Sequence, residues 1–163
     1  MQANTSKVTW FDPVLLAPFI FVCHFLEESP TFVPWFNSHV AHGITTDLFW
    51  RVNLSALVIT LIVVAIEWSA RSGLSLILVV AWLGFLMFAN AIFHVIGAFV
   101  DHGYVPGVVT ATVLYLPYFS WLFVRGVKSK LVSAVGLIAA AVVGAIPMIA
   151  HGYLILFRGS RLF

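Results

Sequence analysis

His24, Glu27 and Glu28 stand within five positions of one another, so on a helix both glutamates share a face with the imidazole. Asn90 and His94 repeat the four-residue spacing in mid-chain, and His151 stands alone near the end. A carboxylate and an imidazole three or four residues apart point two donors at one ion. Two imidazoles with one or two carboxylates suffice for zinc, iron or manganese. His24, Glu28, His94 and His151 are therefore candidate ligands of a divalent metal. Glu27 and Glu28 are candidate catalytic groups, the uncoordinated one serving as general acid or base. Asn53, Asn90 and Tyr104 are candidate supporting residues. Taken singly, each has a plainer reading. A glutamate at a helix end caps it or faces water, and one histidine in a membrane helix is often a contact between helices.

The elements that position these residues follow from composition. Of 163 residues, 62% are hydrophobic and 9% charged, and the mean hydropathy is +1.07. Soluble domains are roughly 25% charged, and a soluble body of this size could not hide so much apolar surface. The chain is expected to be an all-α, polytopic transmembrane bundle forming a single domain over 1–163. The net charge is +2 with only eight Lys+Arg, and without a basic stripe nucleic acid is excluded as a partner. The single cysteine, Cys23, allows no intrachain disulfide, and its apolar surroundings predict inert packing. The polar residues 1–12 and the absence of a small-residue cleavage site before His24 argue against a cleavable signal.

Five spans are expected, at about 13–28, 48–70, 74–100, 107–124 and 131–157. The first is short for the roughly 20 residues that cross a bilayer. Thr46 or Asp47 is expected to cap the second, and Pro117 to bend the fourth. Gly136, Ala140 and Gly144 form a small-residue face on the fifth, suited to close packing. The connector after the first span carries aromatics suited to headgroup level, with His39 and His42.

Five spans put Lys7, Arg71, Arg125, Lys128 and Lys130 on one side of the membrane and Arg51, Arg158 and Arg161 on the other. The positive-inside rule then makes the first side, with the N-terminus, cytoplasmic. An ionisable group in lipid costs about 2.5–3.5 kcal/mol on insertion scales, so its depth matters. His24, Glu27 and Glu28 end the first span, and Asn53 lies near the start of the second. Asn90 and His94 come about 16 and 20 residues into the third, and His151 about 20 into the fifth, at about 1.5 Å per residue. All of these fall at one level near the second side. Glu67 falls at the opposite face beside Trp68 and Arg71, where it is expected to snorkel to the interface.

His24-Phe25-Leu26-Glu27-Glu28 reads H-x-x-E-E. In a small hydrophobic multi-span chain it resembles the HXXEE domain family of bacterial membrane proteins. Asn90-x-x-x-His94, the turn Tyr104-Val105-Pro106-Gly107 with Thr110, and Pro117 extend the resemblance from His24 to about Pro117. Asp101-His102-Gly103 stands where a basic residue before the tyrosine is expected. The resemblance implies an integral protein of the bacterial inner membrane and supports the site residues more than any particular reaction. A weaker likeness is to intramembrane CAAX-type proteases, but the arginine of their E-E-x-x-x-R motif is missing after Glu28.

The leading functional expectation is an intramembrane metal-dependent enzyme acting on a lipid-like or isoprenoid substrate, with membrane lipids as surroundings and a homo-oligomer left open. A proton or small-solute transporter is the alternative, since buried His and Glu also make relays. A single polar layer near one face traces no such route. A structural protein held together by a buried polar cluster is the third reading.

Overall fold

The computed structural model describes residues 11–39 and 43–157. Lys7, His42, Arg158 and Arg161, used above for topology and the connector, lie outside them. The described chain is all helical. We label the helices α1 (Phe11–Val14), α2 (Ala17–Glu28), α3 (Phe32–His39), α4 (Thr46–Ala70), α5 (Gly73–Val100), α6 (Val108–Ser129) and α7 (Ala134–Phe157).

Four of these, α4 to α7, are long and apolar enough to cross a membrane. The stretch 13–28, expected as the first of five spans, is described as the end of α1 and the whole of α2. Pro18 has no N–H to offer the carbonyl four residues back, and the helix breaks where α1 ends, at Val14. The twelve residues of α2 reach about 18 Å at 1.5 Å per residue, less than the roughly 30 Å of hydrocarbon. The break is tied down, since the Tyr118 hydroxyl of α6 donates to the Pro13 carbonyl at 2.7 Å.

The long helices alternate in direction through short connections, so the start of α4, the end of α5, the start of α6 and the end of α7 share one end of the bundle. Thr45 caps α4, its hydroxyl accepting from the Leu48 amide at 3.1 Å, one residue before the expected position. Ser72 and Ser75 form a capping box that opens α5 immediately after the left-handed Arg71.

Helix α5 is the axis of the bundle. In its apolar stretch 56% is buried, against 17–28% in the others. Leu76, Val79, Val80, Leu83 and Met87 pack with Phe21 and Phe25 of α2, Val63 of α4 and Leu122 of α6 in one core. Trp82 of α5 donates to Thr60 of α4 at 3.0 Å. Helix α7 approaches α5 at backbone contact: a Cβ on Gly144 would lie 2.0 Å from the Ala81 carbonyl oxygen, and one on Gly84 2.9 Å from that of Ala141. Gly144 thus carries the close approach expected of the small-residue face, whereas Gly136 meets only Val132 and Ser133 of its own segment.

Two expectations about single residues change. Glu67 does lie at the end away from the site, but it is 1% exposed and turned into the bundle, so it does not snorkel. Cys23 is exposed on the outer face of α2 and packs no core.

Both α5 and α6 contain a π-helical stretch, Gly84–Ala89 and Ala111–Tyr115. The second stands just before Pro117. Proline cannot donate to the carbonyl four residues back, and a register of five takes up the slack, the Leu116 amide bonding the Ala111 carbonyl. This is the form taken by the bend expected there.

Candidate metal centre

Helix α2 carries His24 and Glu28 one turn apart, and α5 brings His94 to meet them. All three are buried, at 2%, 5% and 0% exposure. Oε1 of Glu28 lies 3.2 Å from Nε2 of His94 and 3.5 Å from Nε2 of His24. One ligand atom from each residue falls within 4.8 Å of the others. The two imidazoles meet edge to face, with ring centroids 4.9 Å apart. Neither Nε2 is aligned for a hydrogen bond to Glu28, and Nδ1 of His94 is likewise buried without a partner. Buried polar atoms are nearly always paired, so two Nε2 atoms facing one carboxylate without an aligned hydrogen bond need a cause.

The partners of His24 set the orientation of its ring. Its Nδ1 lies 2.8 Å from the Thr110 hydroxyl oxygen. That hydroxyl has one proton, and its other neighbours are a Glu27 carboxylate oxygen at 2.5 Å and the Gly107 carbonyl at 3.3 Å, which only accept. Thr110 therefore donates to Glu27, and Nδ1–H of His24 donates to Thr110. Nε2 then faces Glu28 as the nitrogen available to an ion. Metal-bound histidines are held in this way, the remote N–H given to a carboxylate or its relay so that tautomer and ring angle are set.

Glu27, expected as a catalytic group, is occupied in this anchoring. It accepts from the Tyr104 hydroxyl at 3.0 Å, the Val109 amide at 3.1 Å and the Thr110 amide at 2.7 Å, besides the Thr110 hydroxyl. The two amides belong to the first turn of α6, where free N–H groups and the helix dipole favour an anion. Burial, followed by the bond to Glu27, holds the Tyr104 phenol above its usual range, which keeps it a donor.

Gly107 closes the group from the loop. Its φ of +91° is a left-handed conformation. A Cβ there would lie 2.8 Å from Cε1 of both His24 and His94 and 3.0 Å from Cγ of Glu28. The backbone passes against the three residues because no side chain intervenes.

The group borders a cavity of about 380 Å³. Its wall is mostly aromatic and aliphatic, with Phe21, Phe32, Phe49, Phe85, Phe93 and Ile155, and its polar positions are His24, Glu28, Asn53, Asn90, Tyr115 and His151. Helix α3 lies over it, with Phe32 and Phe36 facing inward and its far end clamped. Trp35 donates to Asp101 at 2.6 Å, and His39 contacts the same carboxylate at 3.0 Å.

The residues singled out from sequence thus divide. His24, Glu28 and His94 come together. His151 lines the same cavity from α7, exposed and stacked 6.4 Å from the Phe36 ring, outside the ligand group. The Asn53 amide donates to the Phe49 carbonyl at 3.0 Å. Asn90 lines the cavity with its carbonyl oxygen unpaired, and Tyr104 serves Glu27. Sequence reasoning did not single out Tyr115, whose ring lies 4.2 Å from that of His24. It stands five residues after Thr110, off the helical face expected at 3.6 residues per turn, and the π-helical stretch brings it round.

The family model described as "Protein of unknown function with HXXEE motif" matches residues 15–122. The match takes in the ligand group, the Glu27 anchor, the glycine turn and Tyr115, and leaves out α7 with His151. No curated protein and no solved structure matches the chain. With more than half of its length matched, and with His24, Glu27 and Glu28 of the defining motif serving one buried centre, the chain belongs to the HXXEE family.

Proposed function

We propose that the protein is an intramembrane metal-dependent enzyme acting on a lipid-like or isoprenoid substrate. The observation that carries this reading is the convergence, on one buried carboxylate beside an apolar cavity, of two buried imidazole nitrogens that lack aligned hydrogen bonds. His24, His94 and Glu28 would hold the ion. The donor set suits zinc, iron or manganese. When bound, such an ion supplies Lewis acidity, or with iron redox chemistry, at the cavity wall.

The chain's own residues do the rest. Glu27 is a positioning residue: through Thr110 it fixes the His24 tautomer, and through the amides of Val109 and Thr110 it locks α2 onto the start of α6. Phe32 and Phe36 keep water from the cavity. An apolar tail occupies the space between α4 and α7, helices whose outer faces are rich in exposed aliphatics suited to lipid. His151, on the wall but outside the ligand group, is placed to exchange a proton with a bound substrate.

Elemental analysis of protein purified without added chelator tests the reading. It predicts close to one transition-metal ion per chain, lost from His24→Ala and His94→Ala. Wild-type protein that carries no metal and takes none up on addition would refute it.

A further inference from the structure

Two polar atoms on the cavity wall belong neither to the ligand group nor to its anchor. The Tyr115 hydroxyl is wholly buried and unpaired, and so is Oδ1 of Asn90. Because each lacks a partner, they do not bond each other. Both stand at the helix irregularities. Asn90 directly follows the π-helical stretch of α5, and Tyr115 ends that of α6. Such stretches weaken regular hydrogen bonding and concentrate at functional sites. Two independent distortions thus each end in an unpaired polar atom on one cavity.

Their chemistry restricts what completes them. A phenol donates, and an amide oxygen accepts. A hydroxyl group does both, accepting from Tyr115 and donating to Asn90. Among the described residues no lysine or arginine lines the cavity, so a phosphorylated or carboxylate head lacks a cationic partner in the wall. The remaining surface is apolar, and about 380 Å³ lies within the roughly 300–1,000 Å³ of small-molecule sites. We propose that Tyr115 and Asn90 are a specificity pair that selects a lipid-soluble alcohol and sets its hydroxyl beside His24. This inference deepens the preceding one and rests on its reading of the cavity as the substrate site.

The test uses full-length protein in lipid nanodiscs, photolabelled with a diazirine-bearing long-chain alcohol. Unlabelled 1-dodecanol competes against its methyl ether and against dodecane, at matched membrane concentrations, with the label mapped by peptide. Wild-type protein should prefer the alcohol to the ether by about 5-fold or more, the worth of one hydrogen bond. Asn90→Leu removes the acceptor that only the alcohol can use and should bring the ratio close to one, while Tyr115→Phe, which keeps the ring against His24, should weaken alcohol and ether alike relative to dodecane. Equal competition by alcohol and ether in wild type, or an unchanged alcohol preference in Asn90→Leu, overturns the assignment. Metal content measured on the same samples separates the two proposals. Full metal without alcohol preference sinks the specificity pair alone. Alcohol preference in protein that binds no metal sinks the metalloenzyme reading and upholds the pair.

Discussion

Replacing Gly107 by alanine tests the site geometry most directly. The added methyl would lie 2.8 Å from two imidazole carbons and 3.0 Å from Glu28 Cγ, at a φ of +91°. The left-handed backbone costs a residue with Cβ about 1–2 kcal/mol, and overpacking a filled site adds about 1–3 kcal/mol. The neighbours cannot yield freely. His24 is held by Thr110 on one side and the Tyr115 ring on the other, and His94 is fully buried on the axial helix. The strain must therefore move the ligand rings or destabilise the loop. If about 2 kcal/mol appears at the ligands, metal affinity falls roughly 30-fold, at tenfold per 1.4 kcal/mol. Competition with a fluorescent chelator measures this, and a thermal melt in detergent records the remainder. Gly103→Ala is the control, since a Cβ there meets only the Asp101 carbonyl oxygen at an ordinary 3.7 Å. Gly107→Ala protein with wild-type metal affinity and wild-type melting would show that the loop does not lie against the histidines, and the description of the site would fall with it.

Other perturbations separate the layers of the structure. Thr110→Val keeps the volume but removes the relay from Glu27 to His24. It should lower metal affinity about 10–100-fold, the usual cost of losing an outer-shell partner, and Thr110→Ser should recover most of the loss in the same titration. Gly144→Ala sets a methyl 2.0 Å from the Ala81 carbonyl oxygen and should abolish a monodisperse peak in size-exclusion chromatography, whereas Gly136→Ala should elute as wild type. Asp101→Ala frees Trp35 and His39 from their shared carboxylate. It should speed hydrogen exchange in 32–39 while leaving α5 and α7 protected, and equal exchange in wild type and variant would show that the clamp does not hold α3.

The sequence discloses depth better than contact. Hydropathy delimits α4 to α7, because lipid demands long apolar helices, and alternation of their directions puts His94, Asn53 and His151 at one level. Depth cannot tell which of these turn toward each other. His94 packs against α2, while His151 at the same level stays at the cavity edge beside Phe36. The first helix is less legible. Its hydropathy fits a span, but Pro18 divides it, and its end is fixed by a polar contact to α6. Tyr115 escapes notice because the π-helical stretch changes the register that periodicity assumes. Glu67 shows the converse error: a charge near a helix end is not always a snorkelling one when the neighbouring helix offers Ser75 and a turn to pack beneath.

The division of labour within the bundle bears on which reading of the site is coherent. The main core runs along α5 from Leu76 to Ala91 and takes in Phe21 and Phe25 of α2, and α5 meets α7 at backbone contact through Gly84 and Gly144. What the ligand group joins is α2, the end of α5 and the loop before α6, and α2 is already tied to that loop and to α6 by the four bonds to Glu27. A cluster serving only as glue would sit where other attachments are few and would have its hydrogen bonds aligned, since a half-satisfied buried network costs more than an apolar one. Here the anchors are satisfied and the ligand nitrogens are not. Stability is therefore supplied around the centre while the centre is left unpaired beside a cavity, which is the arrangement of a site prepared for something else to bind.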